Sequence, residues 1–424
     1  YVLSYSDVST GEVYVLLENG DKDSLLREVL RHNFSEIIVN NKIDREFVNT
    51  LRTAYHLNVT IYDELYSGSE YSYVYKNLKD VREETGIKHL LAYLTNNKKG
   101  DLSHLGEARI ENVKEHLLID NNTKRNLELT ETVRLRERTY SLLWLLDKNK
   151  TAMGSRLLKQ NIESPLTNKK EIERRYDFID KLRVEFILRD DLKNNLNEVY
   201  DLERLASRIT YGNLNARDLL QLKNSLRVLP EIKRILKELN YYKEIEDFPE
   251  VFSLLDKSIV EDPPITLREG HLIKDGYNEE LDELRKVSSG SKDFILELEQ
   301  KEKERTGIKN LKVGFNKVFG YYIEVSKGQV KELKDEYGYE RKQTLSNCER
   351  FITPLLKEKE NIILGAEEKI VNLEYDLFMK IRETIKRYIH PLQRTANIIA
   401  EVDMLQAFSS VSDMYNFVRP TITD

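Results

Sequence analysis

After Pro354 the chain carries Ile363, Ala366, Ile370, Leu373, Leu377, Ile381 and Ile385, separated by 3, 4, 3, 4, 4 and 4 residues. Steps of three and four keep side chains on one face of a helix, whereas a strand, alternating every two residues, would scatter them over both faces. This seam commits the chain to a rod. A helix over 355–388 is about 50 Å long at 1.5 Å per residue. Such a rod cannot bury its own apolar stripe, so it needs a partner. Leu281 to about Arg305 reads as a second rod, interrupted at SSGS (288–291). The two are expected to run antiparallel as a stalk, with whatever lies between them in sequence at its far end.

What lies between them is not helical. KVGFNKVFGYYIEV (312–325) places two β-branched, aromatic-rich runs around Asn316 and Lys317, which predicts a hairpin. KQTLSNCERFIT (342–353) offers a second strand pair beside it. From 309 to 350 there are nine Lys and Arg against six Asp and Glu, a local +3 in a chain of net charge −6. Lysine together with Asn, Gln, Ser and Thr suits phosphate oxygens, which position a protein on a duplex without reading its sequence. The same charge also suits a solvated face that blunts a sheet edge. Phe315, Phe319, Tyr321 and Tyr322 are expected to form the small core of this module rather than platforms for bases.

Elsewhere the texture changes. At 424 residues the chain suggests two to four domains. With only 17 Gly and 8 Pro, and 33% charged residues, long solvated helices are favoured over loop-rich or all-β folds. Residues 1 to about 110 read as an α/β domain: YVLSYSDVSTGEVYVLLENG as two strands turned at Ser9-Thr10-Gly11, with EIIVNN (36–41) and NVTIYDEL (58–65) as further strands. NNKKGDLSHLG (96–106) reads as a hinge. From about 125 to 255 apolar residues recur at helical spacing, with Trp144 expected in the core, and EDPPITLREGHLIKDGYN (261–278) reads as a surface loop. Gly154, in TAMGSR, is expected to permit close helix packing.

Several chemistries fit poorly. The single cysteine, Cys348, gives no disulfide framework, and the seven histidines (32, 56, 89, 104, 116, 271, 390) lack metal-ligand pairing. The longest apolar run, SLLWLL (141–146), is far short of the roughly 20 residues that span a bilayer, so a cytoplasmic location is expected. Tyr1 in first place is expected of a fragment or processed chain. Asp7, Glu12, Asp63 and Glu64 leave room for a metal-dependent nuclease, and the paired rods alone would suit a coiled-coil scaffold.

LKVGFNKVFGYYIEVSKG followed by RKQTLSNCERFITPLLKEKENIILGAEEKI resembles the clamp of the MutS family of DNA mismatch-repair proteins. The resemblance continues upstream in DNNTKRNLEL (120–129), TAMGSRLLKQNIESPL (151–166), EDPPITLREGHLIKDGYNEELDELR and YSDVSTGEVYV, in the family's order. It implies a predominantly α multidomain chain: a ribonuclease-H-like α/β connector at 1–110, a discontinuous helical lever and core at 111–277 and 357–424, and a small antiparallel β clamp at 278–356 inserted between the lever halves. By position in the family's motif, duplex phosphates would be met by Lys312, Asn316, Lys317, Lys342, Gln343, Thr344, Ser346 and Asn347. The connector would dock a MutL-type partner. The family's mismatch-reading Phe-x-Glu domain and its G-x-x-x-x-G-K-[ST] nucleotide loop have no counterpart in this sequence. The expectation is therefore a non-enzymatic chain without cofactor: ATP and magnesium would serve only the full-length, dimeric parent, whereas the fragment itself is expected to be mostly monomeric.

Overall fold

The computed structural model describes the chain except residues 19, 33, 98–100, 112–115, 118, 317–319 and 424. The N-terminal part runs β1 (Val2–Asp7), β2 (Glu12–Leu17), α1 (Lys22–Arg31), β3 (Ile37–Val39), α2 (Arg45–Thr53), β4 (Val59–Ile61), α3 (Val81–Asn97) and β5 (Arg109–Ile110). Helices follow: α4 (Asn121–Asn126), α5 (Leu142–Leu146), α6 (Ala152–Glu163), α7 (Lys169–Val184), α8 (Phe186–Leu196), α9 (Leu202–Tyr211), α10 (Ala216–Glu238) and α11 (Pro249–Ser258). The last third holds α12 (Glu279–Thr306), β6 (Lys312–Asn316), β7 (Gly320–Ser326), β8 (Glu340–Thr344), β9 (Cys348–Ile352), α13 (Pro354–Lys386) and α14 (Ile389–Tyr415). The chain divides into two compact units, one of Tyr1–Leu214, Asp218–Ser253 and Arg382–Asp424, the other of Asn215–Arg217 and Leu254–Ile381.

In the first unit β1 and β2 pair antiparallel from Val2↔Leu17 to Asp7↔Glu12, and β5 joins β2 in parallel. Gly11 closes the β1–β2 turn at φ +82°, and a Cβ there would lie 2.3 Å from the His104 carbonyl oxygen, so both conformation and space require glycine. The alternation of β2 buries Val13 and Val15 against Ile87, Leu91 and Leu94 of α3. Leu102 and Leu105 complete that core, and His104 between them is buried. The described part of the expected hinge is therefore an anchored segment, and 98–100 lie outside the described residues. A separate parallel pair, β3 with β4, packs its Ile37, Val39 and Val59 on Leu25, Val29, Val48 and Leu51 of α1 and α2.

The helical part of this unit is organised around α14, which is buried on nearly every side and packs on α6, α7, α8 and α9. A helix this apolar all round can only be a core element. Its most deeply buried carboxylate, Asp403, accepts hydrogen bonds from the backbone N–H groups of Lys150 and Thr151 at 2.9 and 2.7 Å, from the Thr151 hydroxyl at 2.7 Å and from Gln406 at 2.9 Å. Burial pushes the Asp403 carboxyl above its ordinary range, and these donors oppose that shift. Asp403 sits at the start of α6, where the helix dipole favours a negative charge. Gly154 allows the approach, as close packing predicted: a Cβ there would be 2.4 Å from Asp403 Oδ2. Trp144 departs from expectation. It is 39% exposed on α5, a helix of five residues that buries Leu143, and it lies against Lys148.

In the second unit α12 and α13 run antiparallel, since Arg285 near the start of α12 pairs with Glu374 late in α13 while Ile295 and Leu298 share a core with Leu356 and Ile363. The expected break at 288–291 is absent: α12 is continuous from Glu279 to Thr306. One internal glycine costs a helix only about 1 kcal/mol, which flanking helical residues absorb. Glu374 is buried and also accepts from the Leu272 N–H at 3.0 Å, tying part of the expected surface loop inward; Leu272 and Ile273 are both buried. The four strands form one antiparallel sheet in the order β6-β7-β9-β8.

Candidate nucleic-acid interface

The two faces of the sheet follow from strand alternation. Ile323 and Val325 of β7 and Phe351 of β9 point into a core shared with Ile308, Leu311 and both helices, each fully buried side chain contributing about 1.5–3 kcal/mol. The core is thus largely aliphatic, against the expectation of an aromatic one. Tyr321 packs at its margin, Phe315 is 49% exposed with its ring 4.9 Å from that of Tyr321, and Phe319 lies outside the described residues.

The opposite face carries the polar chemistry. Register places Lys312 beside Glu324, Glu324 beside Arg350, and Arg350 beside Gln343, so one straight row crosses all four strands. Arg350 Nε donates to Glu324 at 2.9 Å and its Nη1 to Gln343 Oε1 at 3.0 Å. Its guanidinium lies 4.2 Å from the centre of the Tyr322 ring, a stacking that suits Arg. Tyr322 in turn covers Gly314, its cross-strand partner, where a Cβ would be 2.8 Å from the ring. Tyr322 is therefore a surface bridge rather than core.

The phosphate candidates occupy different parts of this sheet. Lys312 and Gln343 share the outer face; Asn316, also there, pairs with Gly320 at one end of β7. Ser346 and Asn347 lie exposed beyond β8 at the other end, where Ser326 pairs with Cys348. Gly320 to Ser326 spans about 20 Å at strand rise. Thr344 is opposite Glu349, across from the outer row, and Lys342 is the extra residue where the β8–β9 register shifts between Arg341 and Gln343. Such a bulge re-aims a side chain, and the Lys342 ammonium lies 3.6 Å from Glu340 with 44% of its side chain exposed. Lys317 lies outside the described residues. Sequence reasoning missed Arg350 as a member of this face. Its place is set by the pairing of β7 with β9, which puts it beside Glu324, so in the sequence the basic side chain reads alone as one more surface charge.

The N-terminal carboxylates are each occupied elsewhere. Asp7 accepts from the Ser9 N–H and hydroxyl at 2.8 and 2.7 Å, and Glu12 takes Tyr14 and Arg109 at 3.1 and 3.3 Å. Asp63 caps the Asn41 N–H at 2.8 Å and Glu64 holds Tyr62 and Asn96 at 3.0 and 2.8 Å. Among the described residues no group of three His, Cys, Asp or Glu is placed to hold a metal, and no helix is long and apolar enough to cross a membrane.

These elements define a mainly helical multidomain protein with an α/β part and an antiparallel sheet inserted between two long helices. The family model for MutS domain III matches residues 122–409. The whole chain aligns with proteins named DNA mismatch repair protein MutS, at 46% identity from Bacillus cytotoxicus, 44% from Staphylococcus epidermidis and 43% from Staphylococcus carnosus. It spans about half the length of these relatives, between 48 and 49%. The chain belongs to the MutS family.

Proposed function

We propose that this chain is the duplex-holding and signal-carrying part of a mismatch-repair MutS protein. The observation that carries the reading is the row Lys312, Glu324, Arg350 and Gln343 on the face of the sheet opposite its apolar core, flanked by exposed Lys342, Ser346 and Asn347. These groups suit phosphate oxygens, so contact is with the duplex backbone and independent of sequence. β9 ends at Ile352 and α13 starts at Pro354, so a force on the sheet enters a stiff helix directly. That coupling is the lever action: occupancy of the sheet is transmitted along α12 and α13 towards the nucleotide-hydrolysing part of a full-length parent. The α/β part serves as the connector, with a ribonuclease-H-like fold, and docks a MutL-type partner. This chain is not an enzyme and takes no nucleotide, because it encodes no phosphate-cradling loop. The parent is cytoplasmic, nucleoid-associated and homodimeric, and the chain by itself is monomeric in dilute solution.

The test is anisotropy of labelled homoduplex and mismatched duplex at several salt concentrations. Binding is expected at about 10⁻⁴ to 10⁻⁶ M near physiological salt, equal on both duplexes. Lys312→Ala and Lys342→Ala should each weaken it on every duplex and reduce the log–log salt slope by about 0.9. Unchanged affinity and slope in both folded variants would overturn the reading.

A further inference from the structure

Glu324 poses a problem for any backbone-binding face: it puts a carboxylate in the middle of the row, between Lys312 and Arg350. Left alone it would repel a phosphate. Arg350 answers this with its Nε bond to Glu324 at 2.9 Å, and the same guanidinium reaches Gln343 Oε1 at 3.0 Å. Arginine has donors and no acceptor, so the atom of Gln343 facing it must be the amide oxygen, and the NH₂ group is turned away. Stacking on Tyr322 at 4.2 Å, itself seated on Gly314, removes the remaining freedom of the guanidinium.

We infer that Arg350 is a positioning residue of this face, masking the Glu324 carboxylate and orienting the Gln343 amide so that its NH₂ group meets a duplex phosphate. The inference rests on the duplex-holding reading above and adds a division of labour within it. Lys312 and Lys342 supply charge; Arg350 makes the ground between them neutral and correctly oriented.

The consequence separates positioning from direct contact. Arg350→Gln exposes the Glu324 charge and releases Gln343, and is expected to weaken duplex binding about three- to tenfold. Adding Glu324→Gln to that variant removes the charge that needed masking, so the double variant should regain most of the lost affinity. A residue that itself contacts phosphate would give a different result: Arg350→Gln would lower the salt slope by about 0.9, and Glu324→Gln would restore neither slope nor affinity. Binding is measured on the full chain with a labelled homoduplex of mixed sequence, and thermal unfolding by circular dichroism is followed for each variant. If Arg350→Gln does not fold, Arg350→Lys in its place keeps the charge but cannot both pair with Glu324 and hold Gln343, so positioning predicts weaker binding at an unchanged salt slope, whereas wild-type binding overturns the inference. Glu324→Gln, which removes the masked charge, must leave binding equal or tighter. Weaker binding in folded Glu324→Gln overturns the inference. If Arg350→Gln binds as wild type while Lys312→Ala and Lys342→Ala weaken binding, this inference alone fails. If neither lysine variant changes binding, the duplex-holding reading fails with it.

Discussion

Gly154→Ala tests how the core of the first unit is held. The new Cβ would lie 2.4 Å from Asp403 Oδ2 and 2.9 Å from Asn149 Oδ1, closer than carbon and oxygen can pack. Asp403 cannot retreat freely, because Oδ2 accepts from the Thr151 N–H and hydroxyl, both at 2.7 Å. Losing two hydrogen bonds to a buried carboxylate costs about 3–6 kcal/mol, at about 1.5–3 each. Alanine returns about 1 kcal/mol of helix propensity, so net destabilisation should be about 2–5 kcal/mol. Trp144, the chain's one tryptophan, sits on α5 just before this contact, and its fluorescence during denaturant unfolding reports the region directly. Gly365→Ala is the contrast: apart from its own helix backbone no atom lies within 4 Å of a Cβ there, and in mid-α13 it should stabilise by about 0.5–1 kcal/mol when unfolding is followed by circular dichroism. A Gly154→Ala midpoint at or above that of wild type would refute the account of Asp403 as a fixed anchor.

His32 makes stability pH-dependent. Burial, then the Arg31 charge, lower its pKa from 6.5 to about 4, so between those values the unfolded chain binds a proton that the folded one does not. Its contribution is intact above about pH 6.5 and is lost as pH falls towards 4, at most about 3 kcal/mol; His32→Gln should flatten that limb of the stability profile. Gly314→Ala should drive the Tyr322 ring off its seat 2.8 Å away, destabilise the sheet by about 1–3 kcal/mol and loosen Arg350, seen as weaker duplex binding. Calorimetry with ATP and magnesium should detect no saturable binding to this chain; a micromolar signal would reveal a nucleotide site without a phosphate-binding loop.

The sequence by itself determined most of the elements, though not the continuity of α12 through 288–291. The seam from Ile363 to Ile385 lies within one helix, Pro354–Lys386, and the runs around Asn316 and before Phe351 are strands, because periodicity is a local property of the chain. The MutS resemblance was legible for the same reason, being carried by contiguous motifs. What periodicity could not settle was which side of a short or mixed segment would be covered. Trp144 stays exposed because five residues of α5 offer only one side to the core. Leu102 and Leu105, in a stretch that reads as a hinge, are buried because α3 and β2 supply the apolar surface. Gly154 is required by a carboxylate on α14, and Arg350 is turned by Glu324 and Gln343 on neighbouring strands. Only tertiary structure decided these, since each depends on a partner distant in sequence whose distance and orientation exist once the chain has packed.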